Sequence, residues 1–238
     1  MNSYRLPAFW LVLPAAGIGS RMRADRPKQY LQFAGRSLLE HSLQVFLEHP
    51  RLLGCRVALA ADDPWWPQLG CASDPRVQRC TGGGERADSV LAALQALHAT
   101  GAGEHDWVLV HDAARPNLAR EDLDRLLQVL ADDPVGGLLA VPARDTLKRI
   151  GADGRVAETV DRSQIWHAYT PQMFRLGALR CALQAALAAG VTVTDEASAM
   201  EWAGQAPRLV EGRADNIKVT RPEDLDWLIA QRERKSLG

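Results

Sequence analysis

The sequence predicts an α/β fold, with a mainly parallel β-sheet covered on both faces by helices and a protruding β-hairpin. Three observations lead there. Short apolar runs alternate with stretches of helical period along most of the chain. Three loops rich in small or charged residues, beginning at Pro14, Gly82 and Asp112, each follow an apolar run, and ligands of parallel sheets bind at the carboxyl ends of strands. One segment, 142–174, instead carries two stretches of period two joined by Asp153-Gly154, the pattern of a hairpin.

Taken in order, Phe9–Leu13 is short and apolar enough for a buried strand. Ser37 is placed to cap a helix running to about His49, with Leu39, Leu43, Phe46 and Leu47 on one face. Arg56–Ala60 is the second strand, followed by the Pro-broken segment Asp62–Pro67. Val77–Cys80 is a short strand leading into Thr81-Gly82-Gly83-Gly84, and a helix from Arg86 to Ala99 turns Val90, Leu91, Leu94 and Leu97 inward. Trp107–His111 is the most apolar strand, and Arg120–Leu130 is a helix. After a strand at Leu138–Val141 comes the hairpin, with strands at Thr146–Ile150 and Arg155–Val160. Helices near Leu179–Ala189, Asp195–Ala203 and Pro222–Gln231 complete the pattern, together with a short strand expected after the polar loop that begins at Glu211. A lone hairpin is marginal in water. This one is expected to pack against a second copy of the chain or to fold back on its own domain.

The length of 238 residues suits one domain spanning 1–238 with a sizeable core. With 47% hydrophobic and 24% charged residues the composition is that of a globular protein. A net charge of −1 argues against bulk attraction to nucleic acid or anionic membrane, so anion binding must come from a local cluster. The four cysteines lack C-x-x-C spacing and suggest reduced thiols in a cytoplasmic protein. No apolar run reaches membrane-spanning length, and no H-x-x-x-H or H-E-x-x-H pair suggests zinc. Only four of the 28 basic residues are lysine: Lys28, Lys148, Lys218 and Lys235. A compact ammonium fits between phosphate oxygens where a planar guanidinium does not, which singles out Lys28 and Lys218 beside candidate motifs.

The loop Pro14-Ala15-Ala16-Gly17-Ile18-Gly19-Ser20-Arg21 lets backbone N–H groups approach an anion, and Arg21 and Lys28 add charge. It is not a P-loop, and the dinucleotide fingerprint fails at Met22, which weakens a dehydrogenase reading. Gly82 and Gly83 let the main chain lie against a base or ribose, and Ser89 either contacts that ligand or serves the helix start. Asp112 suits ribose hydroxyls or Mg²⁺ and Arg115 a phosphate, the alternative being an internal ion pair between the two. Thr194 is either a substrate contact or a helix N-cap. Lys218, between Ile217 and Val219, is expected to face inward towards an anion.

The set Pro14-Ala15-Ala16-Gly17-x-Gly19-x-Arg21-Met22, Pro27-Lys28-Gln29-Tyr30, Gly82-Gly83-x-Glu85-Arg86-x-Asp88-Ser89-Val90, His111-Asp112-Ala113-Ala114-Arg115-Pro116, Thr170-Pro171-Gln172-x-Phe174, Thr194-Asp195-Glu196-Ala197 and Glu211-Gly212-x-x-x-Asn216-Ile217-Lys218 resembles the 2-C-methyl-D-erythritol 4-phosphate cytidylyltransferases of the non-mevalonate isoprenoid pathway. The likeness runs from Leu11 to about Asp226. Gly84 stands at a position often acidic in that family. The resemblance implies a three-layer α/β/α nucleotidyltransferase fold, a homodimer joined by the β-arm at 142–174, and CTP, Mg²⁺ and methylerythritol phosphate as ligands. It places Pro14, Ala15, Ala16, Gly17, Gly19, Gly82, Gly83, Ser89 and Asp112 around CTP. Arg21 and Lys28 would stabilise the transition state. Asp112, Arg115, Thr194 and Lys218 would meet the second substrate, with Thr146 and Arg162 reaching it from the partner's arm. A cytidylyltransferase for another polyol phosphate, such as ribitol 5-phosphate, and a catalytically silent CTP-binding regulator are the competing readings.

Overall fold

A computed structural model describes residues 6–17 and 26–236. In chain order the strands are β1 (Phe9–Pro14), β2 (Gln32–Phe33), β3 (Arg36–Ser37), β4 (Leu52–Leu59), β5 (Val77–Thr81), β6 (Trp107–Val110), β7 (Gly136–Pro142), β8 (Leu147–Ile150), β9 (Val156–Val160), β10 (Trp166–Arg175) and β11 (Arg208–Glu211). The helices are α1 (Leu38–Leu47), α2 (Arg86–Ala99), α3 (Arg120–Leu130), α4 (Leu176–Ala188), α5 (Glu196–Trp202) and α6 (Pro222–Ser236).

Seven strands form one sheet in the order β11-β7-β10-β6-β1-β4-β5. β1 pairs parallel with both β4 and β6, and β10 runs antiparallel to β6 and β7. Alternation on β1 explains the layers. Phe9, Leu11 and Leu13 point into a cluster with Leu39, Leu43 and Phe46 of α1 and Leu123, Leu126 and Leu127 of α3. Val12 faces the other way, into a cluster with Val90 and Leu94 of α2 and Leu179 and Leu183 of α4. The predicted three-layer α/β/α arrangement is the one observed.

Local signals placed several elements correctly. Ser37 caps α1 by accepting the Glu40 N–H, while the Glu40 carboxylate accepts the Ser37 N–H, a reciprocal capping box. The hairpin β8–β9 forms at the predicted Asp-Gly turn, with Gly154 at φ +78°. Its Ile150 and Val156 are 70% and 63% exposed.

Other elements differ. The last strand of the predicted 142–174 segment, β10, lies inside the main sheet, so the part outside it centres on β8 and β9. Among the described residues no strand follows the Glu211 loop. Instead β11 precedes it and pairs with β7, and 216–220 is irregular because its backbone bonds go to side chains and loops. The β2–β3 hairpin was not anticipated. It turns on Ala34 and Gly35, both at positive φ (47° and 78°), as a two-residue turn with right-handed strand twist requires.

Candidate active site

Three strand ends meet at one edge of the sheet. The loop after β1, the glycine loop after β5 and the turn after β6 enclose a cleft of about 310 Å³. Its walls include Pro14, Ala15, Ala16 and Gly17 from the first loop, Gly83, Gly84, Glu85, Arg86 and Ser89 from the second, and Asp112, Ala113 and Ala114 from the third. Lys28, Gln29 and Lys218 come from elsewhere in the chain.

Close approach explains the glycines. A Cβ on Gly82 would lie 2.6 Å from the Cβ of Ala16 and 2.8 Å from Ser89 Oγ, and one on Gly83 would overlap Asp88. Gly82 itself lies behind the wall, holding the two loops together. Ser89 Oγ accepts the Gly83 N–H at 3.1 Å and donates to the Glu85 carbonyl, so it braces the glycine loop from the first turn of α2. Asp88 accepts the Glu85 N–H and serves the helix start. Gly82→Ala should therefore cost about 1–3 kcal/mol through overpacking, read as a lower urea midpoint.

Lys28 sits on a short 3₁₀ turn, Lys28–Tyr30, which is fixed at two neighbours. Gln29 donates to the Ala15 carbonyl at 2.7 Å, tying this turn to the first loop. The Tyr30 hydroxyl donates to Asp63 at 2.7 Å. Lys28 Nζ reaches the Val219 carbonyl at 3.3 Å, joining the turn to the segment that carries Lys218. A third apolar cluster of Phe33, Leu38, Ala114, Val219 and Leu228 includes Val219, next to Lys218, and Leu228 of α6.

Asp112 is the electrostatic centre. It lies 2.9 Å from Lys218 Nζ, 3.0 Å from Arg86 Nε and 3.5 Å from Arg115 Nε. Burial opposes its charge, but these three cations outweigh burial and hold its carboxyl well below the usual carboxylate range. Arg86 continues to Glu196, whose carboxylate it grips through both terminal nitrogens at 2.6 and 3.1 Å. Despite burial, those two carboxylates hold the guanidinium firmly charged. Glu196 is presented because Gln172 of β10 donates to Asp195 and accepts the Ala197 N–H at the start of α5. Beneath lies His111, which burial pushes down to about 4 and so keeps neutral near pH 7.

The structure thus gathers Pro14, Ala15, Ala16, Gly17, Lys28, Gly83, Ser89, Asp112 and Lys218 at one cleft. Gly19 and Arg21 lie outside the described residues. Arg115 is buried behind the wall, donating to the Asn216 carbonyl at 2.7 Å and lying over the Tyr169 ring at 4.5 Å. Thr194 is exposed, is not part of the cleft wall and is not the cap of α5; Asp195 is, because its carboxylate accepts the Ser198 N–H. Thr146 and Arg162 are exposed near the hairpin and take no part in this chain's own cleft wall. Arg86 and Glu196 stand within sequence motifs, but nothing in those motifs marks either as a site residue. Their pairing spans 110 residues of sequence, which local pattern does not reveal.

A cationic cleft of small-residue and glycine loops at the carboxyl edge of such a sheet defines an α/β nucleotidyltransferase. The family model of 2-C-methyl-D-erythritol 4-phosphate cytidylyltransferase matches residues 9–231, and the chain belongs to that family. A protein of that name from Ectopseudomonas mendocina (strain ymp) is 77% identical over 220 residues, covering 92% of this chain and 94% of its own length. The one from Pseudomonas fluorescens (strain SBW25) is 73% identical, covering 95% and 96%. The crystal structure of a 4-diphosphocytidyl-2C-methyl-D-erythritol synthase superposes with a TM-score of 0.81 at 38% identity, over 94% of this chain and 97% of the other. The Francisella tularensis enzyme gives 0.80 at 35%, over 94% and 99%.

Proposed function

We propose that this protein transfers CMP from CTP to 2-C-methyl-D-erythritol 4-phosphate, giving 4-diphosphocytidyl-2-C-methyl-D-erythritol and pyrophosphate. The observation that carries this reading is the convergence of Lys28 and Lys218, 190 positions apart, on the cleft formed by the two small-residue loops. Relatives at 73–77% identity bear the methylerythritol name, which disfavours ribitol 5-phosphate as acceptor.

The chemical problem is that two anions must meet. A phosphate monoester has its second pKa at ~6, so the acceptor arrives ionised and needs no general base. One of its oxygens attacks the α-phosphorus of CTP. The new P–O bond forms as the bond to the β-phosphate bridging oxygen breaks, and that electron pair leaves with pyrophosphate. The protein supplies alignment and positive charge. In this reading Lys28, with Arg21 by motif, meets the triphosphate, and Lys218 holds the attacking phosphate in line. Asp112 fixes Lys218 and contacts sugar hydroxyls. Arg115 supports the acceptor side from behind Asp112, and Thr194 borders that side at the surface.

Magnesium suits this cleft as a companion of the triphosphate. Among the described residues no cluster of three Asp, Glu, His or Cys is placed to hold an ion. Mg²⁺ is commonly held by one or two carboxylates plus substrate phosphates, and the cleft wall offers Glu85 and Asp112, the latter already held between Lys218, Arg86 and Arg115. When bound, the ion would neutralise charge on the triphosphate.

The reading includes a homodimer in which the β8–β9 arm, with Arg162 and Thr146, completes the partner's acceptor site. Two strongly exposed apolar residues on that hairpin, Ile150 and Val156, support a docked arm. It also places the enzyme in the cytoplasm, in keeping with four unbridged cysteines; among the described residues no helix is long and apolar enough to cross a membrane.

Pyrophosphate release from CTP and Mg²⁺ should require methylerythritol phosphate within a panel of polyol phosphates. Equal release with ribitol 5-phosphate, or CTP binding without release, would overturn the assignment. If sites are shared, mixing Arg162→Ala chains with Lys28→Ala chains should recover activity, since one heterodimer site then keeps both residues. No recovery after verified subunit exchange would remove the shared-site reading.

A further inference from the structure

His111 is fully buried at the end of β6, next to Asp112, and the proposed reaction gives it no part. Its ring centre lies 5.1 Å from that of Phe46 on α1, so packing fixes it on one side. Its two nitrogens are spoken for: Nε2 lies 3.1 Å from the Arg115 carbonyl oxygen, and Nδ1 lies 3.0 Å from Thr170 Oγ1.

These contacts decide the tautomer. A carbonyl oxygen can only accept, so Nε2 must carry a hydrogen. A hydroxyl can accept and donate together. Thr170 Oγ1 accepts the Asp112 backbone N–H at 3.0 Å, which leaves its own hydrogen to point at Nδ1. The chain then runs from Asp112 N–H to Thr170 hydroxyl to His111 Nδ1, and from His111 Nε2–H to the Arg115 carbonyl, with no mismatched atom. The opposite neutral tautomer would set a nitrogen lone pair against the carbonyl inside the protein, a costly arrangement.

Thr170 has a second attachment. Its carbonyl accepts from Asn216 Nδ2 at 2.9 Å, in the loop that leads to Lys218. One residue therefore grips both the backbone of Asp112 and the loop of its cationic partner.

We propose that Thr170 and His111, the latter as its Nε2–H tautomer, are positioning residues that hold the turn 111–115 so that the Asp112 carboxylate meets Lys218 and Arg86 in the productive geometry. The proposal rests on reading the cleft as the cytidylyl-transfer site.

The test combines kinetics with a substrate-free spectroscopic measurement on the full-length protein. Thr170→Val keeps the shape and removes the hydroxyl. It should lower kcat for pyrophosphate release about tenfold, the scale of one buried hydrogen bond lost, and change KM for CTP by less than about twofold. Thr170→Ser, which restores the hydroxyl, should return kcat to within about twofold of the unsubstituted enzyme. Long-range ¹H–¹⁵N correlation of the assigned His111 ring should show hydrogen on Nε2 alone at neutral pH in the unsubstituted protein and in Thr170→Ser. Hydrogen on Nδ1, a Thr170→Val enzyme with undiminished kcat, or a loss that serine does not rescue would overturn the proposal. The tautomer is read without substrate. A correct tautomer in a protein that releases no pyrophosphate would refute the reaction and, with it, the catalytic purpose of the positioning, but not the hydrogen-bond assignment.

Discussion

Replacing Lys28 by alanine is expected to lower turnover by about 10²–10³-fold, the usual loss for one preorganised transition-state donor, with a smaller effect on KM for CTP. The reason is geometric. Lys28 lines the cleft from a turn anchored through Gln29 to the first loop and through Tyr30 to Asp63, so its ammonium is held before substrate arrives. Preorganised charge of this kind acts where charge develops, on the α-phosphate and the departing pyrophosphate. In a chain that uses arginine for 24 of its 28 basic positions, a lysine here also points to a compact charge between phosphate oxygens. Steady-state pyrophosphate release at saturating CTP checks the outcome. Unchanged turnover with only weaker CTP binding would mean that Lys28 acts on the ground state alone.

The second large effect is expected at Arg86. Its guanidinium joins Asp112 to Glu196, whose side chains are 9% and 1% exposed. Removing one member of a buried ion pair strands the other's charge, and Arg86→Ala should cost about 3–5 kcal/mol of stability. The urea midpoint should fall accordingly. Adding Glu196→Gln should recover part of that loss, because the stranded carboxylate is then gone. Stability within about 1 kcal/mol of the unsubstituted protein would show that the pair is electrostatically idle. The pH dependence has a defined sign. The folded-state pKa of Asp112 is depressed, so the stability from its ion pairs is fully present above the unfolded carboxylate value of ~3.9. It is lost as pH falls below that value towards the folded pKa. Acid unfolding of Lys218→Met, which removes one of the three cations around Asp112, should therefore begin at a higher pH than that of the unsubstituted protein.

Part of the fold was legible from short-range rules. The α2 and α3 boundaries follow from apolar spacing, and the start of α1 from Ser37 as its cap. The arm hairpin follows from alternation around Asp-Gly. In two places where the reading departed from the structure, the deciding partner was remote. Trp166–Arg175 reads locally as a continuation of the arm, yet it inserts between β6 and β7 because both strands offer it backbone partners. Ile217 and Val219 look like a strand, but the segment beside them spends its bonds on Arg115 and Thr170. Thr194 looks like a cap, but Asp195 captures the Ser198 N–H.

The cleft divides the same way. Loops of small residues after buried strands, and two rare lysines beside motifs, were visible in the sequence because each property is carried by neighbouring residues. The three-cation cage of Asp112, the grip of Arg86 on Glu196 and the hydrogen-bonded chain through Thr170 and His111 became visible only on folding. Periodicity and turn chemistry act over a few residues and so are written locally. Ion pairs and buried hydrogen bonds depend on distance in space, which chain separations of 110 and 59 residues leave undetermined until the sheet brings its strand ends together.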